Sequence, residues 1–112
     1  MNLLKLLFGP PIPSLTAQEV DLRLKESKPP LLIDVRQPNE YKAGHIRQAK
    51  HIPLGQLSQR MHDLPQGREI ICVCRSGSRS GSAVRQLEKA GFNAINLKGG
   101  MIGWQRAGLP VK

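Results

Sequence analysis

The chain has 112 residues, the size of one domain, and its 39% hydrophobic and 22% charged residues argue against a disordered chain. Lys and Arg number 17 against 8 Asp and Glu, a net charge of +9 that favours anions of some kind. Two cysteines spaced C-x-C, Cys72 and Cys74, make neither a disulfide framework nor a four-ligand zinc site, and predict reduced thiols in a cytoplasmic setting.

Met1 to Phe8 reads MNLLKLLF. It is too short to span a bilayer and lacks the basic start and cleavage site of a secretory signal. A short amphipathic turn packed on the domain is expected there, with an interfacial anchor as the alternative. Pro10, Pro11 and Pro13 make a stiff connector, so residues 1–13 read as an extension and 14–112 as the domain. Thr16-Ala17-Gln18-Glu19 is a capping box and predicts a helix running to about Ser27, where Lys28-Pro29-Pro30 stops it. Leu31 to Val35 is a buried strand, Pro38 to Tyr41 a helical turn ended at Gly44, and Lys50 to Ile52 a short strand. Leu54, Leu57 and Met61 share one face of a predicted helix. Glu69 to Val73 is the strongest strand, and Ser82 to Ala90 a helix with apolar residues at helical spacing. Phe92 to Leu97 is a last strand before Gly99-Gly100 opens a short helix carrying Trp104. This alternation of helices with fully apolar strands predicts an α/β domain whose mainly parallel sheet is covered on both faces.

In such sheets, sites form where strands end and helices begin. The strand Glu69 to Val73 runs directly into Cys74-Arg75-Ser76-Gly77-Ser78-Arg79-Ser80. Cys74 is the strong nucleophile of that loop. Small residues at Ser76, Gly77, Ser78 and Ser80 let the backbone curl so that successive amides point inward, an anion-binding nest backed by a helix N-terminus. Arg75 and Arg79 add two charges. The field that binds an anion also stabilises a thiolate, so the Cys74 pKa is expected below its ordinary value. Asp34 and Arg36 end a neighbouring strand. Arg36 is expected to touch the anion and Asp34 to orient its neighbours, with a structural ion pair between them as the alternative. Cys72, inside its strand, reads as a small buried residue.

The loop Cys74 to Ser80 after an apolar strand resembles the active loop of rhodanese-like sulfurtransferases. Leu32-Ile33-Asp34-Val35-Arg36, Glu40 to Ile46, Ala49 to Pro53 and Gly99 to Trp104 are similar to the same family in the same order, so the likeness covers Leu15 to Pro110. The resemblance implies a single rhodanese-like domain and a ping-pong reaction. Cys74 would take the outer sulfur of thiosulfate or a similar small anionic donor, and amides from Arg75 to Arg79 would cradle the persulfide. A thiophilic acceptor, cyanide in vitro or a thiol or sulfur-carrier protein in cells, would then remove it. It implies no metal and no organic cofactor. His45 resembles a framework position, and Trp104 reads as packing.

Two other classes compete with this reading. A non-catalytic rhodanese-like binding module is opposed by the intact cysteine loop. Cysteine-dependent phosphatases and arsenate reductases also curl a loop between a Cys and an Arg, but the phosphatase pattern is one residue longer than the spacing of Cys74 to Arg79. No nucleic-acid partner is expected despite the charge: the four aromatic residues are dispersed, which is unsuited to base stacking.

Overall fold

The computed structural model describes residues 11–112; the readings made for Met1 to Phe8 and for Pro10 lie outside the described residues. In chain order the elements are β1 (Ser14–Leu15), α1 (Ala17–Leu24), β2 (Leu31–Asp34), α2 (Pro38–Ala43), β3 (Lys50–His51), α3 (Leu57–Arg60), β4 (Ile70–Val73), α4 (Ser78–Lys89), β5 (Ala94–Leu97) and α5 (Gly100–Arg106). The five strands form one sheet in the order β1-β5-β4-β2-β3, and every pairing is parallel.

Strand alternation divides the core into two layers. Ile33, Val35, Ile70, Cys72, Cys74 and Ala94 face one way and pack against Leu57 of α3 and Ala83, Val84 and Leu87 of α4. Leu32, Ile71, Val73 and Leu97 face the other way, onto Ala17, Val20 and Leu24 of α1 and Met101 and Trp104 of α5. The β4 strand is buried along its whole length, because parallel neighbours flank it and helices cover both faces. The expected α/β class, parallel sheet and two-sided helical cover are therefore observed.

Local chemistry explains where the elements depart from expectation. The α1 capping box forms as read: Glu19 N–H donates to Thr16 Oγ1 at 3.2 Å, and Thr16 N–H to Glu19 Oε1 at 2.9 Å. This helix nevertheless ends at Leu24 rather than near Ser27, since Leu24 is its last buried residue and Lys25 to Lys28 are exposed. The helix expected around Leu54, Leu57 and Met61 is broken into two 3₁₀ turns (Leu54–Gln56 and Met61–Asp63) flanking a four-residue α3, with Leu57 alone fully buried. The edge strand β1 was not foreseen; two residues leave no periodicity to read. Its register on β5 is set by Asn96 N–H donating to Pro13 O and Lys98 N–H to Leu15 O, both at 2.8 Å.

The connection from β2 to β3 runs one way across the sheet and that from β4 to β5 runs the other way. The crevice outside the carboxyl ends of β2 and β4 is thus the switch point where open α/β sheets place ligands. Arg36 follows β2 there and Cys74 follows β4. Among the described residues, no helix is long and apolar enough to cross a membrane.

Candidate active site

Cys74 directly follows β4, and the chain turns at Gly77 into α4. That helix starts at Ser78, four residues earlier than its apolar periodicity predicts, so Ser78, Arg79 and Ser80 belong to its first turn rather than to a loop. The consequence is chemical. The first amides of a helix have no carbonyl partner within it, and here that of Ser80 acts on sulfur together with two amides just before the helix. Gly77 N–H donates to Cys74 Sγ at 3.1 Å, and the Ser76 and Ser80 amides act on the same sulfur in lowering its pKa. Ser80 Oγ lies 3.2 Å from Sγ.

The curl is held from outside by α5. Met101 N–H donates to Cys74 O at 2.8 Å, and Ile102 N–H to Arg75 O at 3.1 Å. In a planar trans peptide the N–H points opposite to the C=O. Pinning Arg75 O outward therefore turns the Ser76 amide inward, toward Sγ. Gly100 permits this contact: a Cβ there would sit 2.4 Å from Cys74 O and 2.5 Å from Arg75 O.

Cys74 has no solvent-exposed surface and belongs to the α4-side core layer. Burial pushes its thiol up, but the Ser80 hydroxyl and the Ser80, Gly77 and Ser76 amides outweigh that penalty, and the pKa lies below its ordinary value. Cys72 is the contrast: burial, with the neighbouring Cys74 adding to it, pushes its thiol up to about 12. Both cysteines are free.

Two of the arginines expected to serve an anion are already engaged. Arg79 donates from Nη1 and Nη2 to Glu40 Oε1 and Oε2 at 2.6 and 2.8 Å. Those hydrogen bonds hold Glu40 at a pKa of about 2, despite partial desolvation, and raise that of Arg79. Arg36, buried, donates from Nε and Nη2 to Asp34 at 3.0 and 2.7 Å and from Nη2 to Gly44 O at 2.7 Å. The geometry thus gives the ion pair that was the alternative for Asp34 and Arg36. Arg75 is exposed, as are the side chains of Ser76 and Ser78. Beside the loop opens a shallow cavity of about 290 Å³ whose lining includes Arg36, Glu40, Arg75, Met101 and Ile102. Larger cavities, of about 400 and 330 Å³, lie elsewhere, around Arg23 and Arg68 and around Arg47 and Trp104, and neither is lined by Cys74 or its loop.

Three residues of the site were not singled out from sequence. Glu40 was part of a motif without a role, Gly100 was part of a helix start, and Asn96 passed as a strand residue. Asn96 is the one that carried a signal, though one shared with Asn93, an amide within the strand run Phe92 to Leu97. His45 is the hydrogen-bonder expected, through Nδ1 to Tyr41 O at 2.9 Å, and Trp104 is packed, with Nε1 donating to Pro110 O at 2.9 Å.

Comparison with known proteins agrees with this geometry. The family described as rhodanese-like domain matches residues 16–107. A sulfurtransferase of Allochromatium vinosum is 36% identical over 96 residues, covering 85% of this chain and 90% of its own. A putative sulfur carrier protein of Bacillus subtilis is 35% identical over 94 residues, and the match spans 83% of this chain but only 51% of that one. The crystal structure of a rhodanese-like domain protein from Staphylococcus aureus superposes with a TM-score of 0.82 at 36% identity, covering 90% of this chain and 99% of that one.

Proposed function

The chain belongs to the rhodanese-like sulfurtransferase family, and from that premise we propose that it moves a sulfane sulfur from thiosulfate, or a similar small anionic donor, through a persulfide on Cys74. The observation that carries this reading is the convergence of the Ser76, Gly77 and Ser80 amides and the Ser80 hydroxyl on a single sulfur at the start of α4.

The Cys74 thiolate attacks the outer sulfur of the donor; a new S–S bond forms, the donor's own S–S bond breaks, and sulfite leaves with the bonding pair. A nucleophilic acceptor then attacks the outer sulfur of the persulfide and returns Cys74 as thiolate. Splitting the transfer this way replaces one difficult step by two easier ones. Because Cys74 has no exposed surface, attack requires a side-chain rotation or a shift of the exposed Arg75-Ser76 segment that brings Sγ to the neighbouring cavity. The Gly77 and Ser80 amides, outside that segment, remain as donors for the persulfide, whose charge resides on the outer sulfur. Arg75 to Gly77 and Ser80 form the cradle; Asp34 and Arg36, paired with each other, form its wall on the β2 side. A thiol or a sulfur-carrier protein is the proposed cellular acceptor, supported by the Bacillus subtilis relative, and the cytoplasm the proposed compartment, supported by the two free thiols.

Incubation with thiosulfate followed by intact mass spectrometry tests the reading, together with thiocyanate formation from thiosulfate and cyanide. Wild type and Cys72→Ala should gain one sulfur atom and turn over, and Cys74→Ser should do neither. A folded wild type that gains no sulfur and makes no thiocyanate would overturn thiosulfate as donor. An adduct that survives in Cys74→Ser would overturn Cys74 as its carrier.

A further inference from the structure

We propose that Asn96 is a positioning residue that holds the Ser80 hydroxyl proton away from Cys74 Sγ while the cysteine is a thiol and yields it when the cysteine is a thiolate. The proposal rests on the reading of Cys74 as the nucleophile and adds a residue to it.

Asn96 lies in β5, paired with Cys72 of β4, on the sheet face from which Cys74 projects. It is 9% exposed and Ser80 is fully buried. The Asn96 amide has one satisfactory orientation: Nδ2 donates to Gly77 O at 3.1 Å, which leaves Oδ1 facing Ser80 Oγ at 2.6 Å. The flipped amide would set two oxygens against each other at Gly77. Ser80 Oγ has a single proton and two acceptors in reach, Asn96 Oδ1 at 2.6 Å and Cys74 Sγ at 3.2 Å. A neutral thiol is a weak acceptor and a carbonyl oxygen a good one, so the proton goes to Asn96 and the thiol donates its own hydrogen to Ser80 Oγ. A thiolate is charged and has no hydrogen to give. Ser80 then turns its proton to Sγ, leaving Oδ1 without a donor. The relay ends at an amide, which takes up no proton, so the cysteine proton leaves to solvent by way of the same motion that brings Sγ to the neighbouring cavity.

Asn96 thus competes with the thiolate for one hydrogen bond while steadying the loop through Gly77 O. The charged and titratable groups around the thiol are Cys72 on β4, Arg79 of α4 with its partner Glu40, the Asp34–Arg36 pair at the end of β2, and the exposed Arg75. Asn96 carries no charge, so it acts through its two neighbours, Ser80 and Gly77, and the proposed effect on the thiol is the one through Ser80.

The test is the pH profile of iodoacetamide alkylation at Cys74, followed by mass spectrometry in a Cys72→Ala background. This readout does not involve sulfur transfer, so its result stands apart from that of the donor assay. Asn96→Ala, and Asn96→Val as a strand-compatible variant without an acceptor, should move the midpoint down by about half a unit to one unit, the worth of one redirected hydrogen bond. Gly77 O keeps a donor in both variants, Gly81 N–H at 3.1 Å. In a Ser80→Ala background the same substitutions should leave the midpoint unmoved. An upward or absent shift with Ser80 present, or an equal shift with Ser80 removed, would overturn the proposal.

Discussion

The substitution Gly100→Ala tests how the Cys74 loop is held. Gly100 has φ +57°, and an alanine in that left-handed conformation costs about 1–2 kcal/mol whatever surrounds it. Its Cβ would also lie 2.4 Å from Cys74 O and 2.5 Å from Arg75 O. Neither oxygen ends a flexible side chain. Both are backbone, bonded to the first turn of α5, so the clash is relieved by moving the loop off that helix. Losing those two hydrogen bonds costs about 1 kcal/mol each, and residual overpacking adds about 1 kcal/mol or more. Gly67 supplies the control: its φ is +75° and nothing lies within 4 Å of the added Cβ, so Gly67→Ala carries the conformational cost alone. The expected difference between the two variants is about 3 kcal/mol, or roughly 10–20 °C in melting temperature for a domain of this size. A second readout separates loop displacement from general destabilisation. With Arg75 O released, the Ser76 amide no longer points at Sγ, and the alkylation midpoint of Cys74 should rise in Gly100→Ala and stay put in Gly67→Ala. If Gly100→Ala melts within a few degrees of Gly67→Ala and its Cys74 midpoint is unchanged, the clamp by α5 does not orient the loop.

Two further variants probe the ion pairs. Asp34→Asn removes a charge that is fully buried opposite Arg36, itself 6% exposed; stranding that guanidinium should cost about 3 kcal/mol and about 10 °C or more in a thermal melt, and an unshifted melt would show that Arg36 finds equal compensation elsewhere. For Glu40, the hydrogen bonds from Arg79 lower the folded-state pKa from 4.5 to about 2. A depressed carboxylate stabilises the fold above its unfolded pKa and loses that contribution as the pH falls through the folded one. Glu40→Gln should therefore melt a few degrees below wild type at pH 7, a small effect because the Arg79 side chain is 36% exposed. The gap should close between pH 4.5 and pH 2, and a gap constant across that range would contradict the assignment.

What the sequence made legible follows from how local each feature is. The β4 strand and the Cys74 loop were readable because both are contiguous: four apolar residues, then a nucleophile among small residues. The start of α4 was misplaced because Ser78 to Ser80 contribute no apolar periodicity; their helical state is set by the turn at Gly77 and by the demand of Sγ for amides. The partners of the arginines were illegible for a different reason. Arg79 and Glu40 are 39 residues apart, and only the folded sheet, with α2 following β2 and α4 following β4, brings them together. Asn96 was hidden by the same logic. Its neighbours Ser80 and Gly77 are 16 and 19 residues away, and only the β4–β5 register sets it beneath the loop.

The pairing of Arg79 also bears on which chemistry the loop suits. Phosphoryl chemistry on a cysteine loop needs a guanidinium free to take two phosphate oxygens at once. Here Glu40 occupies both Nη1 and Nη2 of Arg79 at 2.6 and 2.8 Å, and Asp34 together with Gly44 O engages Arg36. Arg75 is the exposed guanidinium of the loop, so the loop's pull on an anion combines that charge with amides at a helix start. Amide dipoles act over the length of a hydrogen bond and all meet at one atom. Amides that meet at one atom suit a single sulfur carrying one negative charge. The overall charge of +9 favours anions in general without choosing among them, whereas the amides around Sγ act on a single atom.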